Sequence, residues 1–554
     1  MKKQSFLFGS AILILSAVAS KLAGALFRIP LANMLGGTGM GYFSSAYGIF
    51  MTVYAISATG LPAAVAKVTA ENSALERYAN LRRVKSSALL FFSFAGLAFT
   101  ALMLILAYTF CIYFGGGKSA LPAVIAISPS IFFCSVTSVY RGYYEGMRNM
   151  FPTAVSQIIE GLVKLCTGLA LCLYVLNNQQ NFEKYFIYFD DCENPILPIA
   201  AAASVFGVTL STAAGMLFLL IRDVWGRDGI SSEQIAETNG KNRIDRRKTI
   251  LSELLKTAVP IAVGALVTNL TSLIDVVTIM RSLGKAAERA PHYFTELTGG
   301  TAVSELPNFL FGCFTGLAVT VFNLVPSFTN MFGKGILPAV SEAFAEKNMP
   351  KLREHTQKAI FATALVAFPS AVGISVLSEE ILRVLFPSKP VETHICAPSL
   401  SILGIAVAFL CVSSTVFAIL QAIGRPELPV KLMLIGVCVK LAGNLLLVPI
   451  PELNISGAAI STLLCYAAIC IPACSVIIKL TNVDKNELMS LLYKIIFSSV
   501  LCGGGALLAK NLFINSLNGI YLLIISILSG VIFYIISTIL LGIITKSTLK
   551  LLIS

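Results

Sequence analysis

Stretches of twenty or more predominantly apolar residues follow one another from one end of this chain to the other, and few folds accept that pattern. A helix needs about 20 apolar residues to cross the hydrocarbon core of a bilayer. Runs of that kind, bounded by charge, Gly or Pro, fall near 5–27, 39–60, 86–113, 120–140, 151–177, 196–221 and 255–280. They recur near 306–333, 359–381, 395–421, 430–450, 456–478, 491–513 and 519–545. The pattern predicts an all-α polytopic membrane protein of about 14 transmembrane helices. Composition agrees, because 12% charged residues against 56% hydrophobic ones over 554 positions is about half the charge that a soluble surface carries. An ordinary cytosolic enzyme, a disordered regulator and a fibrous chain are excluded, and no room is left for a sizeable soluble domain.

The formal net charge is +13, but its placement argues against nucleic acid as a partner. The basic residues gather in alternate short loops, the distribution expected when positive charge held on the cytoplasmic side sets topology. With a cytoplasmic N-terminus the inward loops take Lys67, Arg77, Arg82, Arg83 and Lys85, then Arg222, Arg227, Lys241, Arg243, Arg246, Arg247 and Lys248, then Lys347, Lys351, Arg353 and Lys358. An even number of spans then puts both termini in the cytoplasm, in the plasma membrane. The outward loop 178–195 is acidic, with Glu183, Asp190, Asp191 and Glu193. Lys2-Lys3 and the apolar run to Phe27 resemble the front of a signal peptide. The run is too long for a signal's core and lacks a small-residue cleavage site, so it reads as a retained first span. The thirteen cysteines form no CxxC, most stand singly in apolar runs, and Cys470 and Cys474 lie i,i+4 on one helix. They behave as small hydrophobes and suggest neither a metal site nor an obligatory disulfide.

The two halves repeat. "GLPAAVAKVTAEN", ending at Asn72, and "ILPAVSEAFAEKN", ending at Asn348, stand 276 residues apart, while "RNMFPTAV" from Arg148 and "RPELPVKL" from Arg425 stand 277 apart. The duplicated unit is about six helices, in parallel orientation. This divides the chain into an N-lobe at 1–249 that ends in a basic cytoplasmic linker at 222–249, a C-lobe at 250–480, and a C-terminal helix pair at 481–554. Leu35-Gly36 and Leu283-Gly284 match at a shorter offset, which places an outward insertion near 285–305. Two six-helix lobes related about an axis normal to the membrane carry their substrate site between them, near mid-depth. Pro62 and Pro338 remove a backbone donor and are expected to end the second and eighth helices. Ala63–Lys85 and Ala339–Lys358 then read as amphipathic helices on the inner surface.

Three stretches carry a family resemblance: "YRGYYEGMRNMFPTAVSQIIEGLVKL" (Tyr140 to Leu165), "FRIPLANMLGGTGMGYF" (Phe27 to Phe43) and "ILPAVSEAFAEKN" (Ile336 to Asn348). They resemble the SpoVB group of polysaccharide-biosynthesis transporters, in the MOP flippase superfamily alongside MurJ-type lipid II flippases and MATE exporters. The resemblance covers essentially the whole chain. It implies a V-shaped, alternating-access flippase for an undecaprenyl-diphosphate-linked sugar, either lipid II or a polysaccharide repeat unit. The run "SKLAGALFRIPLANMLG" is similar to a MurJ-type run in which a Ser-Arg pair is followed by Gly and then Arg-Asp. Ser20 and Gly24 keep their places, Lys21 stands for the first arginine, and Arg28 comes one residue late. Ile29 replaces the acidic residue, and the further arginine of that family has no counterpart between Tyr42 and Pro62.

Ionisable side chains deep in a span are expensive and therefore mark function by default. Lys21 and Arg28, seven residues apart, can share one helix face. Arg binds a diphosphate by bidentate hydrogen bonds and Lys as a point charge, so both are expected to hold the pyrophosphate; the bland alternative for Arg28 is snorkelling to the head groups. Lys164 lies about 18 Å into the membrane at helical rise, and Lys440 lies at the matching depth of the repeat. Both either line the cavity or are neutralised within their own lobes, with Glu160 at i−4 as the local partner for Lys164. Asp275, with Asn269 and Thr271 before it, either binds Na⁺ or H⁺ or pairs with Lys440, and Asn444 stands one turn beyond that lysine. Arg141 and Arg148 lie at the cytoplasmic mouth, where they recruit an anionic head group or serve only topology, and Arg141 can pair with Glu145.

The leading expectation is a flippase working as a monomer among membrane lipids, with no cofactor, driven by an ion gradient or by membrane potential. A MATE-like cation-coupled drug antiporter is a second reading, disfavoured because the deep charges are mostly Lys and Arg. A membrane glycosyltransferase or ligase would need a catalytic outward loop, for which Asp190-Asp191 is the sole candidate, and no nucleophile–base or metal constellation accompanies it. A purely structural division or sporulation partner would leave the intramembrane cations without a purpose.

Overall fold

The computed structural model describes residues 6–114, 117–189, 192–225 and 245–543. Arg227, Lys241 and Arg243 of the basic linker, and Asp190 and Asp191 of the acidic loop, lie outside the described residues. Among the described residues the regular structure is helical throughout. Thirteen segments are long and apolar enough to cross a membrane. The first of them, Leu15–Ala74, takes in most of α1 (Phe6–Ser57), which is broken at Gly36 by φ 63° and ψ −168°, so the two arms of α1 supply the first two predicted spans. The chain is a multi-pass helical membrane protein.

By contacts the chain forms two compact units, Met1–Leu35 with Gly39–Val277, and Gly36–Thr38 with Thr278–Ser554. The boundary between these units falls inside the seventh-span helix α8. The first unit holds α2 (Leu61–Ala74), α3 (Tyr78–Phe114), α4 (Leu121–Ile127), α5 (Ser130–Gly146), α6 (Phe151–Asn177) and α7 (Ile196–Trp225), with α6 packed on α7 and α5 packed on α2, α3 and α7. The N-terminal part of α8 (Arg247–Arg289) joins them, because Ile250, Leu254 and Ala258 share a core with Leu61, Val65 and Val139. Its Val276 also reaches Gly48, where a Cβ would lie 2.7 Å from the valine methyl.

The helices of this unit meet through small residues, as membrane helices do where backbones must approach closely. A Cβ on Gly207 of α7 would stand 2.3 Å from the Cα of Gly168 in α6. Gly161 of α6 faces Ser20 and Ala23 of α1, and Ser16 donates to Gln157 at 2.9 Å. The apolar face of α2 is buried against α5, with Gly142 over Pro62 and Gly146 over Ala66. The predicted inner-surface helix Ala63–Lys85 is therefore two helices, α2 and the start of α3, and its apolar face is covered by protein. Lys85 pairs with Asp223 beneath the rings of Tyr140 and Tyr143. Arg77 and Asn80 hold Asp245, at the other end of the linker.

The second unit continues with α9 (Pro291–Thr298), α10 (Leu306–Gly312), a π-helical turn at Cys313–Ala318, α11 (Val319–Phe322) and α12 (Leu324–Ala345). After them come α13 (Met349–Val376), α14 (Ser378–Leu385), α15 (Pro390–Ala422), α16 (Glu427–Leu447), α17 (Asn454–Thr481), α18 (Lys485–Phe513) and α19 (Gly519–Leu540). The 285–305 region is helix for much of its length, through Arg289 and again over α9. Pro338 lies inside α12 and does not end it, whereas Pro62 sits in the first turn of α2, where the missing donor costs nothing. The C-terminal pair α18 and α19 packs on itself and on α13, with the Tyr534 hydroxyl donating to the Leu365 carbonyl at 2.8 Å.

Candidate functional site

The first arm of α1 carries Lys21, Gly24 and Arg28 at positions i, i+3 and i+7, a spacing that puts all three on one helix face. That arm packs on α6 through Gly161, and one turn beyond Gly161 the ammonium of Lys164 reaches the notch at Gly24. Its Nζ lies 3.6 Å from where a Cβ on Gly24 would stand and 5.6 Å from the centre of the buried Phe27 ring. Glycine at 24 leaves the backbone of α1 bare there, so the lysine tip settles between Lys21 and Arg28 along the helix. Lys21 is exposed, while Lys164 and Arg28 are half-buried. The Arg28 guanidinium sits over the Tyr47 ring, 5.5 Å from its centre, a cation–π contact that turns it inward. Tyr47 is a partner that the sequence reading missed; only the fold of α1 back on itself at Gly36 brings it near.

Glu160 does not neutralise Lys164. Its Oε1 forms an ion pair with the Arg141 guanidinium at 2.8 Å, and the Arg141 Nε donates to the Ser156 hydroxyl at 2.9 Å. The carboxylate lies flat on α7, where a Cβ on Gly215 would come within 2.5 Å of it. The Arg141 guanidinium thus pairs with Glu160 across the α5–α6 junction instead of with Glu145 four residues on. No carboxylate of the described residues lies within ion-pair distance of Lys164. Arg148 is exposed in the turn between α5 and α6 with φ 56°, apart from this cluster.

In the second unit Lys440 is buried, at 5% exposure, and Asn444, one turn on, is fully enclosed. The amide of Asn444 donates to the Thr278 hydroxyl at 2.9 Å; Thr278 stands three residues beyond the half-buried Asp275 on α8. Lys164 and Lys440 thus differ in setting although the repeat aligns them: one is half open and the other is enclosed. Among the described residues no three His, Cys, Asp or Glu side chains gather as a metal site would require.

Bilayer-length helices with cations held inside them define a polytopic membrane protein of the transporter type. Residues 6–344 match the family model described as polysaccharide biosynthesis protein, and residues 314–446 match MatE. The chain belongs to the polysaccharide biosynthesis protein family, within the MOP superfamily that holds the MurJ and MATE transporters. It is 24% identical over 464 residues to stage V sporulation protein B of Bacillus subtilis, covering 83% of this chain and 81% of that one. It is 24% identical over 469 residues to the lipid II flippase MurJ of the same organism, covering 83% and 80%. Its fold is similar to a solved lipid II flippase MurJ in an inward closed conformation, with a TM-score of 0.66, 17% identity, and coverage of 96% of this chain and 98% of that chain.

Proposed function

We propose that this protein is an alternating-access flippase that carries an undecaprenyl-diphosphate-linked sugar across the plasma membrane, with both termini cytoplasmic and the monomer as the working unit. The observation that carries this reading is the row Lys21, Lys164 and Arg28 on one face of the first unit, with Lys164 seated at Gly24 and held by no carboxylate. A diphosphate head group offers delocalised negative charge that such a row can share. Within a membrane, three clustered cations are costly unless an anion or water meets them. The kinship with a lipid II flippase and with a sporulation protein of the same superfamily supports a lipid-linked cell-wall or polysaccharide precursor as cargo. Asp275 is the candidate for Na⁺ or H⁺ coupling, and membrane potential acting on the cationic row is the other source of drive. A MATE-like export of cationic drugs is disfavoured by the same row, whose charge has the wrong sign.

The test is complementation of cells depleted of their lipid II flippase, using the parent chain, Lys21→Ala, Arg28→Ala and the double variant, with membrane insertion checked for each. Growth with the parent and loss with the inserted double variant is the expected result. Full rescue by the double variant removes the proposed head-group site.

A further inference from the structure

We infer that Arg141 is a positioning residue: by holding the Glu160 carboxylate against α5 and α7, it keeps the Lys164 ammonium available to an anionic head group. This rests on the role proposed for Lys164 and adds how that lysine is kept unpaired. Glu160 and Lys164 stand i,i+4 on α6 with the acid N-terminal, the order that most favours an ion pair along a helix. In the absence of another cation the two would neutralise each other, and the row beside Lys21 and Arg28 would lose its middle charge.

The structure shows the two side chains parted. Glu160 turns to the Arg141 guanidinium at 2.8 Å and lies over Gly215 of α7. Lys164 turns to α1 and lies over Gly24. Both orientations depend on a glycine in the neighbouring helix, so each partner has its own notch. Arg141 is fixed in turn by its bond to Ser156, which lies one turn before Glu160 on α6. Arginine suits this task because its planar fork binds a carboxylate and a hydroxyl together and stays charged inside the protein.

The measurement is binding of undecaprenyl diphosphate to the full-length protein in lipid nanodiscs, with thermal unfolding recorded for each variant. R141M is expected to weaken binding about tenfold, because the released Glu160 takes Lys164. R141M/E160Q is expected to recover affinity to within about threefold of the parent, since no carboxylate then competes; R141K should keep most of the affinity. K164M should bind as weakly as R141M and gain nothing from E160Q. The inference is overturned if R141M binds like the parent, or if adding E160Q fails to restore R141M. Parent-like binding by K164M would instead sink the role given to Lys164. Should R141M fail to insert, R141Q against R141Q/E160Q makes the same comparison with hydrogen-bonding side chains retained.

Discussion

The ammonium of Lys164 stands 3.6 Å from the point where a Cβ on Gly24 would lie, so a single hydrogen on α1 marks the seat of a charge carried by α6. At that distance an alanine makes an ordinary van der Waals contact, whereas a leucine occupies the seat. Gly24→Ala is expected to insert and complement like the parent, with helix propensity improved by roughly 0.5–1 kcal/mol. Gly24→Leu is expected to insert yet lose complementation, because the lysine tip is driven out of the row. Equal rescue by both variants would show that the notch has no part in transport.

The corner between the two arms of α1 should be intolerant of any side chain. Gly36 holds φ 63° and ψ −168°, a region that belongs almost wholly to glycine and costs other residues about 1–3 kcal/mol. Lys389 and Glu392 also close over it, at 3.0 and 3.2 Å from a Cβ placed there. Gly36→Ala is expected to lower the melting temperature in detergent by several degrees. An unchanged melting curve would mean that the corner relaxes freely.

Glu380 of α14 and Lys510 of α18 form an ion pair at 2.6 Å with side-chain exposures of 12% and 20%, fastening the C-terminal pair to the rest of its unit. Removing only one partner leaves a charge in a poorly solvated place, so Lys510→Met is expected to destabilise by about 3 kcal/mol. Adding Glu380→Gln should return most of that loss, read by chemical or thermal unfolding as a double-mutant cycle. Additive losses would argue that the pair is incidental.

Asp275 is the residue to test for coupling. Asp275→Asn is expected to abolish the dependence of flipping on an imposed Na⁺ or proton gradient while leaving the protein inserted and the cationic row intact. Parent-like flipping at every imposed gradient and potential would place coupling elsewhere.

Much of the architecture was legible because bilayer physics writes it into composition. Each span must satisfy its backbone internally as a helix, so hydrophobic length alone located the helices, and the merged α1 differs from two separate spans only by the bend at Gly36. The repeat marks where a duplicated copy begins, while side chains such as Ile250, Leu254 and Val276 settle which core the start of α8 joins. Spacing along α6 suggested Glu160 for Lys164, a sound local rule that a better partner on α5 overrode.

What the chain determined by itself is its class, its approximate helix count and which ionisable residues interrupt the apolar runs, because these follow from runs of residues read in order. What only the tertiary structure decided is company: Arg141 rather than Lys164 for Glu160, Tyr47 for Arg28, Thr278 for Asn444. Ion pairs and hydrogen bonds form only within a few ångströms. That proximity comes from how helices cross, and the glycines that let them cross closely show their purpose only once the neighbouring helix is in place.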